Sequence, residues 1–316
     1  MGACEFAVTG GAGFVGSHLV QSLLDEGARV RVVDNFLTGR RENLDGVTGH
    51  PALRITEGDI RELSTLREVF RGVRYVLHQA ALPSVPRSVQ DPATTLSIGV
   101  QGTLNVLLAA REAGCERVVY ASSSSVYGDT PTLPKSESMV PSPLSPYAVS
   151  KLAGEHLCAT FTHLHQFPTV SLRYFNVFGP RQDPASQYSA VVPCFVTAAL
   201  KGEAPTIYGD GGQSRDFTYV DNVVEANRLA CQAEKPAWGL AVNIACGERI
   251  DLMELIRLIG KACRRDDIQP HHEPPRPGDV RHSLADISRA RDLIGFQPAV
   301  KVEEGLRQTV AWYARS

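Results

Sequence analysis

The chain has 316 residues and a formal charge of -2 at pH 7, enough length for one large or two intimate domains and no net electrostatic pull toward nucleic acid or an anionic membrane. No uninterrupted apolar stretch approaches the roughly 18 residues of a membrane span, no signal peptide is expected ahead of the first apolar run, and Phe6 stands where myristoylation favours Ser or Thr. Small-molecule partners and a cytoplasmic location are therefore expected, and seven scattered cysteines without a Cys-x-x-Cys pair predict reduced thiols rather than disulfides or structural zinc.

The first element is an apolar run, Phe6 to Thr9, followed by Gly10-Gly11-Ala12-Gly13-Phe14-Val15-Gly16 and a segment with helical apolar spacing from Ser17. Strand, glycine turn and helix in that order suit a dinucleotide. Without a Cβ at 10, 13 and 16 the chain turns sharply, lets a pyrophosphate approach, and packs the helix close to its strand. The phosphates would lie at the positive end of that helix. A second strand, Ala28 to Val33, ends in Asp34, eighteen residues beyond Gly16, close to the interval for an acid that grips the adenosine ribose. An acid there repels a 2′-phosphate and so predicts NAD. Arg40 and Arg41 follow closely and are expected to be solvated loop residues.

Further along, Tyr75 to His78, a long helix over residues 95–113, Arg117 to Ala121, a helix bearing Tyr147, and Thr169 to Tyr174 continue the alternation. It predicts an α/β fold: a Rossmann-type, doubly wound parallel sheet with helices on both faces and ligands at the carboxyl ends of the strands. Gly10, Asp34, Gln79-Ala80-Ala81, residues 122–125 and Phe175-Asn176 all fall at such ends. Tyr147 and Lys151, one helical turn apart, project from one helix face. An ammonium beside a phenol favours the phenolate and would lower the tyrosine pKa toward neutrality, as a general base requires. This spacing is common on solvated helices; the glycine loop upstream gives it weight.

After Asn176 the texture turns to Pro- and Gly-rich loops with short helices, which predicts a smaller α/β substrate-binding lobe over the cofactor. Residues 220–232 and 240–245 have helix and strand character suited to rejoining the sheet. The expected division is a cofactor domain of residues 1–176 and 217–248, and a substrate lobe of 177–216 and 249–316. No metal set is expected: His163 and His165, and the adjacent His271 and His272, suit surface positions.

The glycine loop, Tyr147 with Lys151, Ser123 within Ser122-Ser123-Ser124-Ser125-Val126-Tyr127-Gly128, and the run from Arg173 to Pro180 together resemble the extended short-chain dehydrogenases that act on nucleotide sugars. Within that group the chain looks most like the UDP-N-acetylglucosamine 4-epimerases, through Ser84-Val85-Pro86-Arg87-Ser88, Arg181-Gln182-Asp183-Pro184 and the run from Arg276 to Ser283. The resemblance implies Tyr147 as the base, Lys151 as the group that holds the nicotinamide ribose and tunes it, and Ser123 as the partner of the sugar 4-oxygen. It further implies a cofactor set of Gly10, Gly13, Phe14, Val15, Gly16, Asp34, Asn35, Gly39, Asp59, Ile60, Gln79, Ala80, Ala81, Tyr147, Lys151 and Tyr174, with NAD as the cofactor. For a UDP-sugar it implies Ser84, Arg87, Ser123, Ser124, Asn176, Ala190, Val191, Ile207, Arg215, Arg276, Asp279 and Ser283. Family members pair two subunits through a helix bundle, so the helix of residues 95–113 and the Tyr147 helix are expected to form a homodimer.

Acids that follow the equivalent of Ser123 in related dehydratases and decarboxylases are Ser124 and Ser125 here, so the chemistry is expected to stop at oxidation and return. Ser283 occupies a position where a bulky tyrosine restricts other epimerases, which favours a 2-acetamido sugar, with plain UDP-glucose tolerated. UDP-glucuronate is the competing sugar, with Ser124 and Arg181 able to serve its carboxylate; Asp183 is expected to repel that group. A net oxidoreductase that releases NADH shares the first half-reaction, and a silent NAD sensor would lack Tyr147 or Lys151. Gly99 replaces the asparagine usual three residues before Gly102.

Overall fold

The computed structural model describes residues 5–184, 190–265, 267–274 and 281–315. Seven strands form one parallel sheet: β1 Glu5–Thr9, β2 Arg29–Asp34, β3 Leu53–Glu57, β4 Tyr75–His78, β5 Arg117–Ser123, β6 Thr169–Tyr174 and β7 Ala241–Ile244. Their order across the sheet is β7-β6-β5-β4-β1-β2-β3. The helices are α1 Phe14–Asp25, α2 Leu63–Val69, α3 Val85–Gln90, α4 Pro92–Leu96, α5 Thr103–Glu112, α6 Pro146–His165, α7 Val191–Lys201, α8 Val220–Gln232, α9 Leu252–Cys263, α10 Ser288–Ile294 and α11 Val302–Tyr313.

Strands buried on both faces need apolar residues at nearly every position, as in the Val118-Val119-Tyr120-Ala121 stretch of β5. One face packs on Leu19, Leu23, Val223 and Ala230 of α1 and α8; the other packs on Leu66, Val106, Leu107 and Cys158 of α2, α5 and α6. A further core joins Phe195, Val196, Leu255, Ile259 and Leu306 from α7, α9 and α11 with Ile207, Phe217 and Tyr219. Strand order reverses at β1, where β2 and β3 build to one side and β4 to β7 to the other, so a crevice opens beyond the carboxyl ends there.

The helix expected over residues 95–113 runs from Pro92 to Glu112 but is divided by a π-helical stretch, Ser97–Gly102. Contrary to the expectation drawn from uninterrupted apolar runs, Pro92–Glu112 is long and apolar enough to cross a membrane by length and mean hydropathy. Leu, Ile, Val and Ala spaced among polar and small residues raise its average without an unbroken apolar string, and over half of it is buried inside the fold, against α2, β5 and α6. Short strand β3, whose alternation of Leu53 and Ile55 with Arg54 and Thr56 the apolar-run reading passed over, completes the β2 edge.

Candidate functional site

The glycine turn is built by close approach. Gly10 adopts φ +70°, and a Cβ there would sit 2.7 Å from the Ala80 backbone nitrogen. A Cβ on Gly16 would sit 2.1 Å from the Gly10 carbonyl oxygen, which explains why α1 can leave β1 only with glycine at both positions. Gly13 precedes α1 without a side-chain cap, so the free N–H groups of the first turn stay available to an anion.

Asp34 ends β2 and is 7% exposed. It accepts the backbone N–H groups of Ala12 (2.9 Å) and Phe36 (2.8 Å), tying the glycine turn to the loop beyond β2. Burial raises its pKa, and those two N–H groups oppose the rise. Gly39 is glycine because a Cβ would stand 2.8 Å from both Asp34 oxygens. Asp34, Asn35, Asp59, Ile60, Ala80 and Ala81 line one cleft together. Arg61 holds the Asp59 carboxyl down to about 2, and Asn35 Nδ2 donates to it.

Arg40 and Arg41 are solvated loop residues, 52% and 61% exposed, and each also meets a carboxylate. Arg40 pairs with Asp183, and Arg41 pairs with Glu57 while its guanidinium lies 3.8 Å from the Phe36 ring centre. Neither is left as a free 2′-phosphate clamp, and the Asp183 charge, expected to face a sugar carboxylate, is neutralised at the β2 loop. Arg181 likewise turns to α1, donating to the Ser17 carbonyl at 3.0 Å. His18 Nε2 contacts the Pro180 carbonyl oxygen at 2.9 Å, and burial drives its pKa down to about 4.

Ser145 caps α6 by accepting the Ala148 N–H, and Pro146 occupies the first turn, so Tyr147 and Lys151 sit on successive turns of a rigid 20-residue helix. The Ser123 hydroxyl is near enough to the Tyr147 phenol to act on it. Lys151 is 5% exposed and donates from Nζ to the Ala121 carbonyl at 2.7 Å. Its Nζ lies 5.8 Å from the centre of the Tyr147 ring. Burial pushes the Tyr147 phenol up, with the Ser123 hydroxyl opposing it, and lowers Lys151 to about 8. The expectation that Lys151 lowers the Tyr147 pKa is therefore corrected: the ammonium is directed to a β5 carbonyl, and the group acting on the phenol is Ser123.

Tyr174, Gln79 and Asn227 close a ring of hydrogen bonds. The Tyr174 hydroxyl donates to Gln79 Oε1 (3.3 Å) and accepts from Asn227 Nδ2 (2.8 Å), while Gln79 Nε2 donates to Asn227 Oδ1 (3.1 Å). Two expected cofactor residues thus share a buried partner on α8 that motif reading missed.

On the lobe side, a cavity of about 300 Å³ is lined by Asn176, Ala190, Val191 and Arg215 of the expected substrate set. Thr206, Tyr208, Gln213, Phe217 and Leu252 also line it, all missed by motif reading. Strand alternation was the available signal: Thr206 and Tyr208 face the cavity while Ile207 between them is fully buried in the lobe core. Asn176, at φ +34°, donates to the Asp216 carbonyl, and Ser283 pairs through its backbone with Ser214, beside Arg215. Ser84 caps α3 by accepting the Arg87 N–H, and neither lines this cavity. Phe14 and Val15 pack into the lobe core and the sheet core respectively. Ser124 follows Ser123 in a 3-10 turn, Ser124–Tyr127. Arg276 and Asp279 lie outside the described residues. Among the described residues no His, Cys, Asp and Glu grouping could hold a metal ion.

A glycine cradle that any Cβ would fill, an aspartate at the second strand end and a cleft between them fit a dinucleotide, and the lobe cavity fits a second ligand beyond it. The NAD dependent epimerase/dehydratase family model matches residues 6–245. A UDP-glucose 4-epimerase of Mycolicibacterium smegmatis is 39% identical over 97% of each chain. Among solved structures, the UDP-N-acetylglucosamine 4-epimerase of Methanobrevibacter ruminantium M1 in complex with UDP-N-acetylmuramic acid is 40% identical over 99% of each chain, with a TM-score of 0.94. The UDP-glucuronic acid 4-epimerase of Bacillus cereus, in complex with UDP-glucuronic acid and NAD, is 31% identical over 98% of this chain and 99% of that one, with a TM-score of 0.90.

Proposed function

The chain belongs to the NAD dependent epimerase/dehydratase family, and from that membership we propose that it inverts C4 of a UDP-linked N-acetylhexosamine, interconverting UDP-N-acetylglucosamine and UDP-N-acetylgalactosamine, with UDP-glucose tolerated. The broader activity is that of its relatives, a UDP-sugar 4-epimerase working with NAD, hence an isomerase. One observation carries the reading: the Tyr147 phenol stands beside the Ser123 hydroxyl at the β5 end, one turn from Lys151.

Gly10, Gly13, Gly16 and Asp34 would hold the dinucleotide, with Tyr174 and Gln79 beside it. Bound there, NAD supplies a hydride acceptor that later gives the hydride back. Ser123 orients the 4-hydroxyl, and Tyr147 takes its proton as C4 is oxidised, then returns it when C4 is reduced on the opposite face. Lys151, charged below about pH 8, keeps a cation beside that proton transfer. Arg215 and Asn176 line the cavity suited to the nucleotide, an arginine fork matching phosphate geometry. Ser124 and Ser125 offer no acid or base for an elimination.

Incubation with UDP-N-acetylglucosamine and no added nicotinamide tests this. The galacto epimer should accumulate without lasting absorbance at about 340 nm; stoichiometric NADH build-up would refute it. A second reading, UDP-glucuronate as substrate, gains support from the Arg40–Asp183 pair, which neutralises the charge expected to repel a carboxylate. Parallel turnover of the three sugars decides between them.

A further inference from the structure

Glu155 lies one turn beyond Lys151 on α6, at 7% exposure, and makes a two-pronged contact with Arg173 of β6: Nε to Oε1 at 2.8 Å and Nη2 to Oε2 at 2.7 Å. Ser122 donates its hydroxyl to the same Oε1. In the β5–β6 register Ser122 stands opposite Arg173 and Ser123 opposite Tyr174, so this one carboxylate fastens α6 to the strand ends that carry Ser123 and Tyr174. The Tyr127 ring covers the guanidinium at 4.8 Å, its hydroxyl held by Asn243. A buried ion pair is weak evidence for stability, since apolar residues of equal volume often serve as well. What this pair supplies is a fixed geometry and a fixed field beside Lys151.

We propose that Glu155, locked by Arg173 and Ser122, is a positioning residue that keeps Lys151 charged at neutral pH and holds the Ser123 end of β5 against Tyr147. The surroundings of Lys151 leave it little other support. The Ala121 carbonyl accepts from Nζ, the rings of Tyr120 and Tyr147 lie 5.2 Å and 5.8 Å from it, and His78 of β4 is uncharged, its pKa driven down to about 3. Arg173 of β6 is paired with the same Glu155 carboxylate. Burial works against the lysine proton, and the charge acting to retain it is that of Glu155. Without that carboxylate burial alone would act on the ammonium and favour loss of the proton from the lysine.

This inference rests on the epimerase reading for its kinetic arm but not for its titration. The chain contains six lysines, so the holoenzyme labelled with ε-13C-lysine gives a tractable spectrum in which Lys151→Met assigns the resonance. In Glu155→Gln the Lys151 titration should fall by roughly one to two pH units, and the alkaline limb of kcat should move down with it while KM for the sugar changes little. Glu155→Asp, which keeps the charge, should titrate within about half a unit of the parent. Glu155→Gln/Arg173→Gln removes the stranded cation; there Lys151 should still fall, by roughly one unit, because its counter-charge is gone. If Glu155→Gln alone does not fold, this double variant carries the test. An unmoved Lys151 titration in folded variants lacking Glu155, with only a lower melting temperature, would overturn the proposal. Because the titration is read without sugar, failure of the epimerisation assay would count against the proposed reaction and leave this result standing.

Discussion

Acid should weaken this fold through His78, and the size of the effect follows from its surroundings. The ring is 1% exposed and lies between two hydroxyls, with Nδ1 2.7 Å from Thr9 Oγ1 and Nε2 3.0 Å from Thr103 Oγ1. Thr103 donates its own hydrogen to the Gly99 carbonyl (2.7 Å), so it must accept from His78 Nε2–H; Nδ1 is then left to accept from Thr9. A second proton on Nδ1 would set two donors face to face, in a buried layer that already holds Lys151. Burial, aided by Lys151, drives the pKa from 6.5 to about 3. A histidine depressed in the folded state contributes stability above its unfolded pKa and loses it as pH falls from about 6.5 toward about 3. Between about pH 7 and about pH 5 the unfolded chain gains the proton and the folded one does not, which amounts to about 2 kcal/mol. Out of the 5–15 kcal/mol of a typical domain, roughly that loss is large. His78→Gln retains one donor and one acceptor but cannot titrate in this range. Urea unfolding of both proteins at the two pH values, followed by circular dichroism, isolates the term because other groups cancel in the difference. The stability advantage of the parent should shrink by about 2 kcal/mol at the lower pH. An advantage that does not change with pH would refute this account.

Tyr147→Phe should lower epimerisation by about 10²-fold or more while calorimetric affinity for the UDP-sugar stays within about twofold, since only the proton carrier is lost. Asp34→Ala leaves the Ala12 and Phe36 N–H groups without their acceptor, so the purified protein should lose NAD on gel filtration, read as a fall in bound cofactor absorbance. Gly99→Asn, the residue usual in the family, would place a Cβ 2.6 Å from Ser150 Cβ; it should cost about 1–3 kcal/mol in chemical unfolding, and Ser150→Gly should recover most of that. Val149, 42% exposed on the Tyr147 helix, suits the homodimer expected through that helix, and Val89, 63% exposed on the adjoining α3, extends the face; Val89→Asp with Val149→Asp should yield a monomer by light scattering, and an unchanged mass would reject that extended face.

Local rules made much of the cofactor half legible. Alternating apolar runs and helical periods place Gly10, Asp34, Gln79, Ser123 and Tyr174 at strand carboxyl ends, because a buried parallel strand must be apolar and its loops must lie at the ends. Residue order along one helix likewise put Tyr147 and Lys151 on one face. Where each side chain would point its charge could not be read that way. The Lys151 ammonium reaches a β5 carbonyl, Arg40 crosses to Asp183, and Glu155 finds Arg173, each choice made by groups distant in the chain that only packing brings within a few ångströms. The lobe cavity shows the same limit: sequence named Ile207, and the pleat of its strand turned Thr206 and Tyr208 inward instead. Sequence by itself determined the order of elements and the chemistry available to them, since propensity and periodicity act over a few residues. Tertiary structure alone decided protonation and partner choice, because burial and counter-charge depend on what the folded chain places nearby.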